Sequence, residues 1–377
     1  MTRARRYLFP LPEVGAPVGG VNVLLQIVTV LRAAGREALP VYASPGHVYE
    51  FWPHDGPAGY DPALAALANP FERRLTRLRR RLAAWPARAV RVGKGGNQLC
   101  RPGPDDAIVA PEYCLTEIAR LYPHNPIVLA AQDAHGLALA RHWDRDGAAF
   151  GRVAAAFATS QASAAALGHV FGGPAERITL PVARPGLEFA PHKRRQIAYM
   201  PRKRPEEAGF VVAALRAMPE LAGWEFVEMR GMSSERLVAA FRDAALFISF
   251  SQREGFGLPP AEAMKAGCIV VGYAGVGGSE YLTPETGIPV PDSDFAALIE
   301  AVRATALEYD RAPARLDALR RAAAERIAER YSPERFRDSV LAAWTAIEAR
   351  LAGGRGDGHG GGQGIGRADR GRKEAVA

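Results

Sequence analysis

Two carboxylates, Glu254 and Glu262, flank the seven residues Gly-Phe-Gly-Leu-Pro-Pro-Ala. Gly255 and Gly257 let backbone N–H groups come close to a ligand. Pro259-Pro260 opens a helix, and the N-terminus of a helix carries about half a positive charge. That combination suits a diphosphate. The carboxylates suit hydroxyl-rich groups, because a carboxylate accepts hydrogen bonds from neighbouring hydroxyls. The plainer alternative has Glu262, in the first turn, complement the helix dipole while Glu254 sits solvated in the loop.

These groups need elements to hold them. A buried strand, Ala245–Phe250, delivers the chain to Glu254. It belongs to a series of apolar runs, Ile197–Met200, Glu225–Met229, Ile269–Tyr273 and Ile288–Val290. Helical stretches at Pro205–Met218, Ser234–Asp243, Pro260–Ala266 and Phe295–Tyr309 alternate with them. The N-terminal half has the same rhythm: strand Arg6–Pro10, a Gly/Pro loop, helix Val21–Ala34, then strand Ala38–Ala43. Runs at Ala107–Ala110, Ile127–Ala131, Ala155–Thr159 and Ile178–Val182 follow. Continuous apolar strands alternating with helices predict parallel sheets covered on both faces. The basic, Pro-containing Arg184–Arg195 reads as the linker between two such domains. Ser332-Pro333 starts a last helix, and the tail from Gly353 is Gly-rich and reads as disordered.

With motif and context together, the chain resembles the retaining, nucleotide-sugar-dependent glycosyltransferases of family 4. Their Glu-x7-Glu marker stands here as Glu254 and Glu262, continued by AMKAGCIVVGYAGVGGSEYL with its Gly-Gly pair and Glu280. The resemblance implies an α/β GT-B fold, with two Rossmann-like domains facing across a cleft and a C-terminal helix returning to the N-terminal one. Residues 1–188 would form the acceptor side, 189–331 the donor side, 332–352 the returning helix and 353–377 the tail. By resemblance Glu254, Gly255 and Phe256 hold the donor sugar, Gly257 and Leu258 the phosphates, and Glu262 the ribose. Gly19-Gly20 and the cations Arg202 and Lys203 fall where the family holds the diphosphate. The family's usual Gly-Arg…Lys-Gly wording is replaced by Pro201-Arg202-Lys203-Arg204. His135, just past a strand in Gln-Asp-Ala-His-Gly, lies where relatives carry a His near the sugar, and pairs with Glu254 as the catalytic candidate. Asp133 beside it is the weaker candidate. The implied reaction retains anomeric configuration and moves a hexose-type sugar to a glycan or lipid-linked acceptor. No cofactor and no metal are expected: the pairs Asp144/Asp146 and Asp292/Asp294 are not placed as metal-binding pairs. The rival functions are an epimerase or hydrolase of the same fold and a non-catalytic sugar-nucleotide-binding homologue.

Composition narrows the field further. The chain has 377 residues, enough for two domains. Three distant cysteines, Cys100, Cys114 and Cys268, give neither a disulfide framework nor a zinc motif. No run has signal-peptide or membrane-span character, so a cytoplasmic protein is expected. The net charge of +8 is concentrated in Phe71–Val92, with eight arginines against one glutamate. There Phe71, Leu75, Leu78, Leu82 and Trp85 follow helical spacing. Such a helix either lies on an anionic membrane surface or turns a solvated Arg face outward from the core. No nucleic-acid motif accompanies it. A dinucleotide fingerprint fails because Glu280 replaces the third glycine after Gly275-Val276-Gly277, and Gly93-Lys94-Gly95 lacks the hydroxyl of a P-loop.

Overall fold

The computed structural model describes residues 5–15, 18–47, 49–52, 56–67, 97–171 and 175–353. The basic segment Phe71–Val92, Gly93-Lys94-Gly95 and the tail beyond Gly353 lie outside the described residues.

The N-terminal domain is built on β1 (Arg6–Pro10), β2 (Glu37–Tyr42), β3 (Gly59–Tyr60) and β4 (Gln98–Leu99), then β5 (Ala107–Pro111), β6 (Ile127–Ala131), β7 (Val153–Ala158) and β8 (Glu176–Arg177). They form a parallel sheet in the order β4-β3-β2-β1-β5-β6-β7-β8. Every residue of β5 and β6 is buried, because helices cover both faces. Helix α1 (Gly19–Ala33) turns Leu24, Ile27, Val28 and Leu31 into the core. Helices α2 (Leu115–Leu121), α3 (Ala134–Trp143) and α4 (Gln161–Phe171) follow β5, β6 and β7.

The second sheet comprises β9 (Arg194–Tyr199), β10 (Glu225–Glu228), β11 (Ala244–Phe250), β12 (Ile269–Tyr273) and β13 (Ile288–Val290), in the parallel order β10-β9-β11-β12-β13. Its helices are α5 (Pro205–Arg216), α6 (Ser234–Asp243), α7 (Leu258–Lys265), α8 (Phe295–Arg311) and α9 (Ala314–Arg330). In each sheet the strand order reverses beside the first strand, at β1/β5 and at β9/β11. Such a switch point opens a crevice at the carboxyl ends of the strands, where open α/β sheets bind ligands. The residues after β1, β9 and β11 are Gly19-Gly20, Arg202-Lys203 and Glu254, and topology thereby gathers them.

Three expectations are corrected. Ile178–Val182 is not a strand: β8 ends at Arg177, and Pro181 lacks the N–H a ladder needs. Its alternate residues Ile178, Leu180 and Val182 are still buried, and Val182 N donates to Tyr331 O at 2.8 Å. The linker Arg184–Arg195 shifts, since Arg194 and Arg195 already belong to β9. Helix α9 was absent from the sequence reading, although Leu316, Leu319, Ala323 and Ile327 give it a buried face among its charges.

The last helix, α10 (Pro333–Gly353), returns to the N-terminal domain and packs on β7, β8 and α1. Ser332 Oγ caps it by accepting from Arg335 N at 3.2 Å. Phe336, Val340, Ala343, Trp344, Ile347 and Leu351 form its buried stripe. Trp344 is fully buried and stacks on Phe9 at 5.9 Å, edge-on to Tyr7 at 5.5 Å. Glu348 accepts from Arg36 through both oxygens and from the Tyr7 hydroxyl. Trp344→Ala is expected to destabilise the N-terminal domain by about 3–5 kcal/mol, and Trp344→Phe by less. Urea unfolding followed by circular dichroism checks this; equal losses would show that the indole volume is not what matters.

Candidate functional site

β11 is buried along its whole length, and around its end at Phe250 the Ser249 hydroxyl donates to that of Ser251 at 3.2 Å. The loop beyond it is held from beneath. Gly277 N donates to the Glu254 carbonyl at 2.9 Å, and the Tyr281 hydroxyl donates to the Phe256 carbonyl at 3.0 Å and approaches that of Gly257. Gly257 has φ +84°, a left-handed conformation that L side chains resist, and from it α7 starts. The helix therefore begins at Leu258, before both prolines, and Glu262 stands in its second turn rather than its first.

The Glu254 side chain lines a small recess with Met200, Arg202, Lys203, Ser249 and Ser251. Burial raises its pKa, while Lys203 and Arg202 pull it down. Arg204, third in the basic run, is committed elsewhere. It is buried, pairs with Glu207 and Asp292, donates to Ser293 Oγ and lies over the Tyr273 ring at 4.8 Å. Arg202 and Lys203 make no ion pair with a described residue.

Glu262 is 5% exposed and accepts from Arg184 Nε and Nη2 at 2.9 and 3.1 Å. Burial raises its pKa and Arg184 lowers it. A carboxylate has about four lone-pair sites, so a bidentate arginine leaves two for hydroxyls. Arg184 itself was missed as a site residue because it sits in the stretch read as linker.

From the N-terminal domain, β6 delivers Gln132-Asp133-Ala134-His135 to the same crevice. Asp133 caps α3, accepting from His135 N and Gly136 N at 3.1 and 3.2 Å. His135 lies in the first turn of that helix, not in a loop, and its Nε2 is 3.5 Å from Arg253 Nη1 across the domain boundary. Gly255 is seated against the Gln132 carbonyl, where a Cβ would overlap that oxygen. The Gln132 side chain covers Gly20, with Oε1 3.2 Å from where a Cβ would stand. Gly19 and Gly20 are the first residues of α1, two positions before its expected start, and Gly19 faces open space. The structure thus brings His135, Gly20 and the Glu254–Leu258 loop to one boundary, with Arg202 and Lys203 behind Glu254. The Asp pairs are structural: Asp144 accepts from Ala149 N and Phe150 N, Asp294 caps α8, and Asp292 pairs with Arg204. Among the described residues no cluster of three or more His, Cys, Asp or Glu is placed to hold a metal. No described helix is long and apolar enough to cross a membrane.

One carboxyl escaped the sequence reading. Glu112, directly after β5, is buried and accepts from Gln132 N at 3.1 Å. Its place at the carboxyl end of a parallel strand was the available signal. Burial lifts its pKa from 4.5 to about 7. A carboxyl raised on folding keeps its proton in the native state, so its stabilising contribution is full below about pH 4.5 and lost as pH rises through about 7. Wild-type unfolding free energy is expected to fall across that window by about 3 kcal/mol more than that of Glu112→Gln. Urea titrations at about pH 4.5 and about pH 8 measure the difference; parallel pH dependence in the two proteins would overturn it.

Residues 197–307 match the family model described as glycosyl transferases group 1. An alpha-1,6-glucosyltransferase of Actinobacillus pleuropneumoniae is 38% identical over 81 residues, 21% of this chain and 24% of that enzyme. The match thus spans about a quarter of that relative's length. Among solved structures, Anabaena HepE in complex with UDP and glucose superposes with a TM-score of 0.57 at 15% identity, covering 93% of this chain and 100% of that one. Sucrose-phosphate synthase of Thermosynechococcus elongatus gives 0.58 at 16% identity, with the same coverage. The chain has the GT-B fold, and its second domain carries a glycosyl transferases group 1 region that includes Arg202, Lys203, Glu254 and Glu262.

Proposed function

We propose that the protein is a retaining, metal-independent glycosyltransferase of family 4 that moves a hexose from a nucleotide diphosphate to a glycan or lipid-linked acceptor. The observation that carries this reading is the recess in which Glu254 meets Arg202 and Lys203 at the N-terminal end of α7. Cations that make no ion pair with a described residue, beside a carboxylate and oriented amides, match a sugar diphosphate group by group.

In this reading the diphosphate lies between Arg202, Lys203 and the N–H groups of Gly257 and Leu258, with Gly19 and Gly20 opposite. Glu254, Gly255 and Phe256 orient the sugar, and Glu262 takes the ribose with its remaining lone pairs. Bond cleavage loads negative charge onto the leaving phosphate, and groups fixed in advance stabilise that charge without reorganising. The acceptor attacks from the face the diphosphate leaves, and the departing phosphate oxygen takes its proton. His135 borders the sugar from the N-terminal domain. No protein nucleophile is assigned.

Supporting the acceptor side, the N-terminal domain has a cavity of about 550 Å³ lined by Leu11, Val14, Val18, Leu64, Leu67 and Tyr113. Such a mostly apolar wall suits the aglycone of an acceptor. The eight arginines of Phe71–Val92 suit an anionic membrane surface, at about 1 kcal/mol each, which fits a cytoplasmic enzyme working at the membrane's inner face. The relatives' UDP, glucose and glucosyltransferase names make UDP-glucose the first donor to try.

A panel of nucleotide diphosphate sugars, scored by calorimetry and product analysis, tests the proposal. One donor should bind and transfer, and Glu254→Ala should cut kcat about a hundredfold or more. Lys203→Met should weaken turnover similarly and, by removing a cation that lowers the Glu254 pKa, move the acidic limb of the rate profile to higher pH. Nucleotide release without transfer would favour a hydrolase or epimerase, and binding without turnover a non-catalytic homologue.

A further inference from the structure

The region after β12 holds a carboxylate to which the proposed reaction assigns no role. Glu280 closes the short turn Gly277–Glu280, and its side chain is 4% exposed. Oε1 accepts from Arg177 Nη2 and from the Tyr331 hydroxyl, both at 3.0 Å. Oε2 accepts from Gln161 N at 2.9 Å and again from Arg177 Nη2 at 3.1 Å. Arg177 ends β8 and Gln161 starts α4, so both belong to the N-terminal domain. The helix N-terminus at Gln161 favours the negative charge.

The other end of the same turn grips the donor loop. Gly277 N donates to the Glu254 carbonyl at 2.9 Å, and a Cβ on Gly277 would overlap the Gly255 carbonyl. Tyr331, which completes the clasp, packs edge-on to Phe256 at 5.0 Å between ring centres. One four-residue turn therefore joins the N-terminal domain to the backbone that carries Glu254.

From this the geometry points to Glu280 as a positioning residue: it ties Arg177 and Gln161 to the Glu254 loop, so that seating of the N-terminal domain sets where Glu254 stands. The inference rests on the transfer reaction proposed above for its kinetic consequence, though the clasp itself does not. Donor affinity is set largely within the second domain, where Arg202 and Lys203 lie, so the clasp acts on kcat. A displacement of about 1 Å at a reacting centre costs about a hundredfold.

Glu280→Gln, Arg177→Met and the double variant test it on the full chain with the donor that wild type uses. Each single variant should lose about a hundredfold in kcat with donor affinity unchanged, and the double should lose no more, because both changes break one contact. Arg177→Lys should restore part of the rate. Small-angle scattering of the unliganded proteins should give a larger radius of gyration for both single variants than for wild type. Wild-type kcat and radius in Arg177→Met, or losses that multiply in the double, would overturn the assignment. If Glu280→Gln does not fold, Arg177→Met decides, since that side chain is 31% exposed. If wild type transfers no sugar, the transferase reading fails while the scattering comparison still tests the clasp.

Discussion

At the boundary between the domains, backbone meets backbone. Gly255 rests on the carbonyl of Gln132, and the contact leaves no room for a Cβ on Gly255. The restriction propagates in both directions. Behind Gln132, its own N–H is held by buried Glu112 and its side chain lies on Gly20. Behind Gly255 stands Gly277, again too close for a Cβ. Gly20, Gln132, Gly255 and Gly277 thus form one stack, and the stack sets how near the starts of α1 and α7 come to each other. Glycine at such places loses more conformational entropy on folding than any other residue. The bonds from Tyr281 and Gly277 beneath the loop offset that loss by fixing the backbone once folded.

Given that spacing, the electrostatics follow from which cations already have partners. Arg204 is neutralised by Glu207 and Asp292, Arg184 by Glu262, and Arg177 by Glu280. Each of these arginines has its charge offset within the protein, while Glu262 keeps lone pairs free for hydroxyls. Among the described residues, what remains at the crevice is Arg202, Lys203 and Arg253, the N-termini of α1 and α7, and the carboxylates of Glu254 and of Asp133, the latter capping α3. Burial of Glu254 disfavours its charge while Lys203 and Arg202 support it. The local balance is therefore positive and concentrated on one side of Glu254. That arrangement orients an anionic group more firmly than a diffuse basic surface does, because charges in a recess are less screened by solvent.

Much of this was legible in local sequence, and the limits have physical causes. The Glu254–Glu262 segment could be read because strand, loop and helix follow one another without a gap, and the fold could be read because parallel strands appear as unbroken apolar runs. Sequence spacing could not separate Arg204 from Arg202 and Lys203, since the difference lies in Asp292 and Ser293, nearly ninety residues away. Arg184 was hidden for the same reason: its partner Glu262 is in another element. At Ile178–Val182 the alternation of buried residues was real, yet while Ile178 N still bonds Ala158 O at the end of β7, Val182 N bonds Tyr331 O. Helix α9 was obscured by its many charges, which outnumber the few residues of its buried face. Glu112 follows a strand end without any motif around it, so its position was the one local sign and its burial became visible only in the fold.

The returning helix carries the architecture one step further. Because α10 packs on the N-terminal domain while α9 packs on α7, the chain crosses between domains twice, at 178–193 and again at Tyr331–Ser332. These crossings lie side by side, joined by the bond from Val182 N to Tyr331 O. Tyr331 stands at one of these crossings, and its ring also touches Phe256 and Tyr281. The donor loop is thereby packed, through aromatic rings, against the point where the chain passes between the domains. The same residue lends its hydroxyl to Glu280. Interdomain crossing, aromatic packing and ionic contact thus converge on Tyr331, which couples the backbone that carries Glu254 to how the two domains meet.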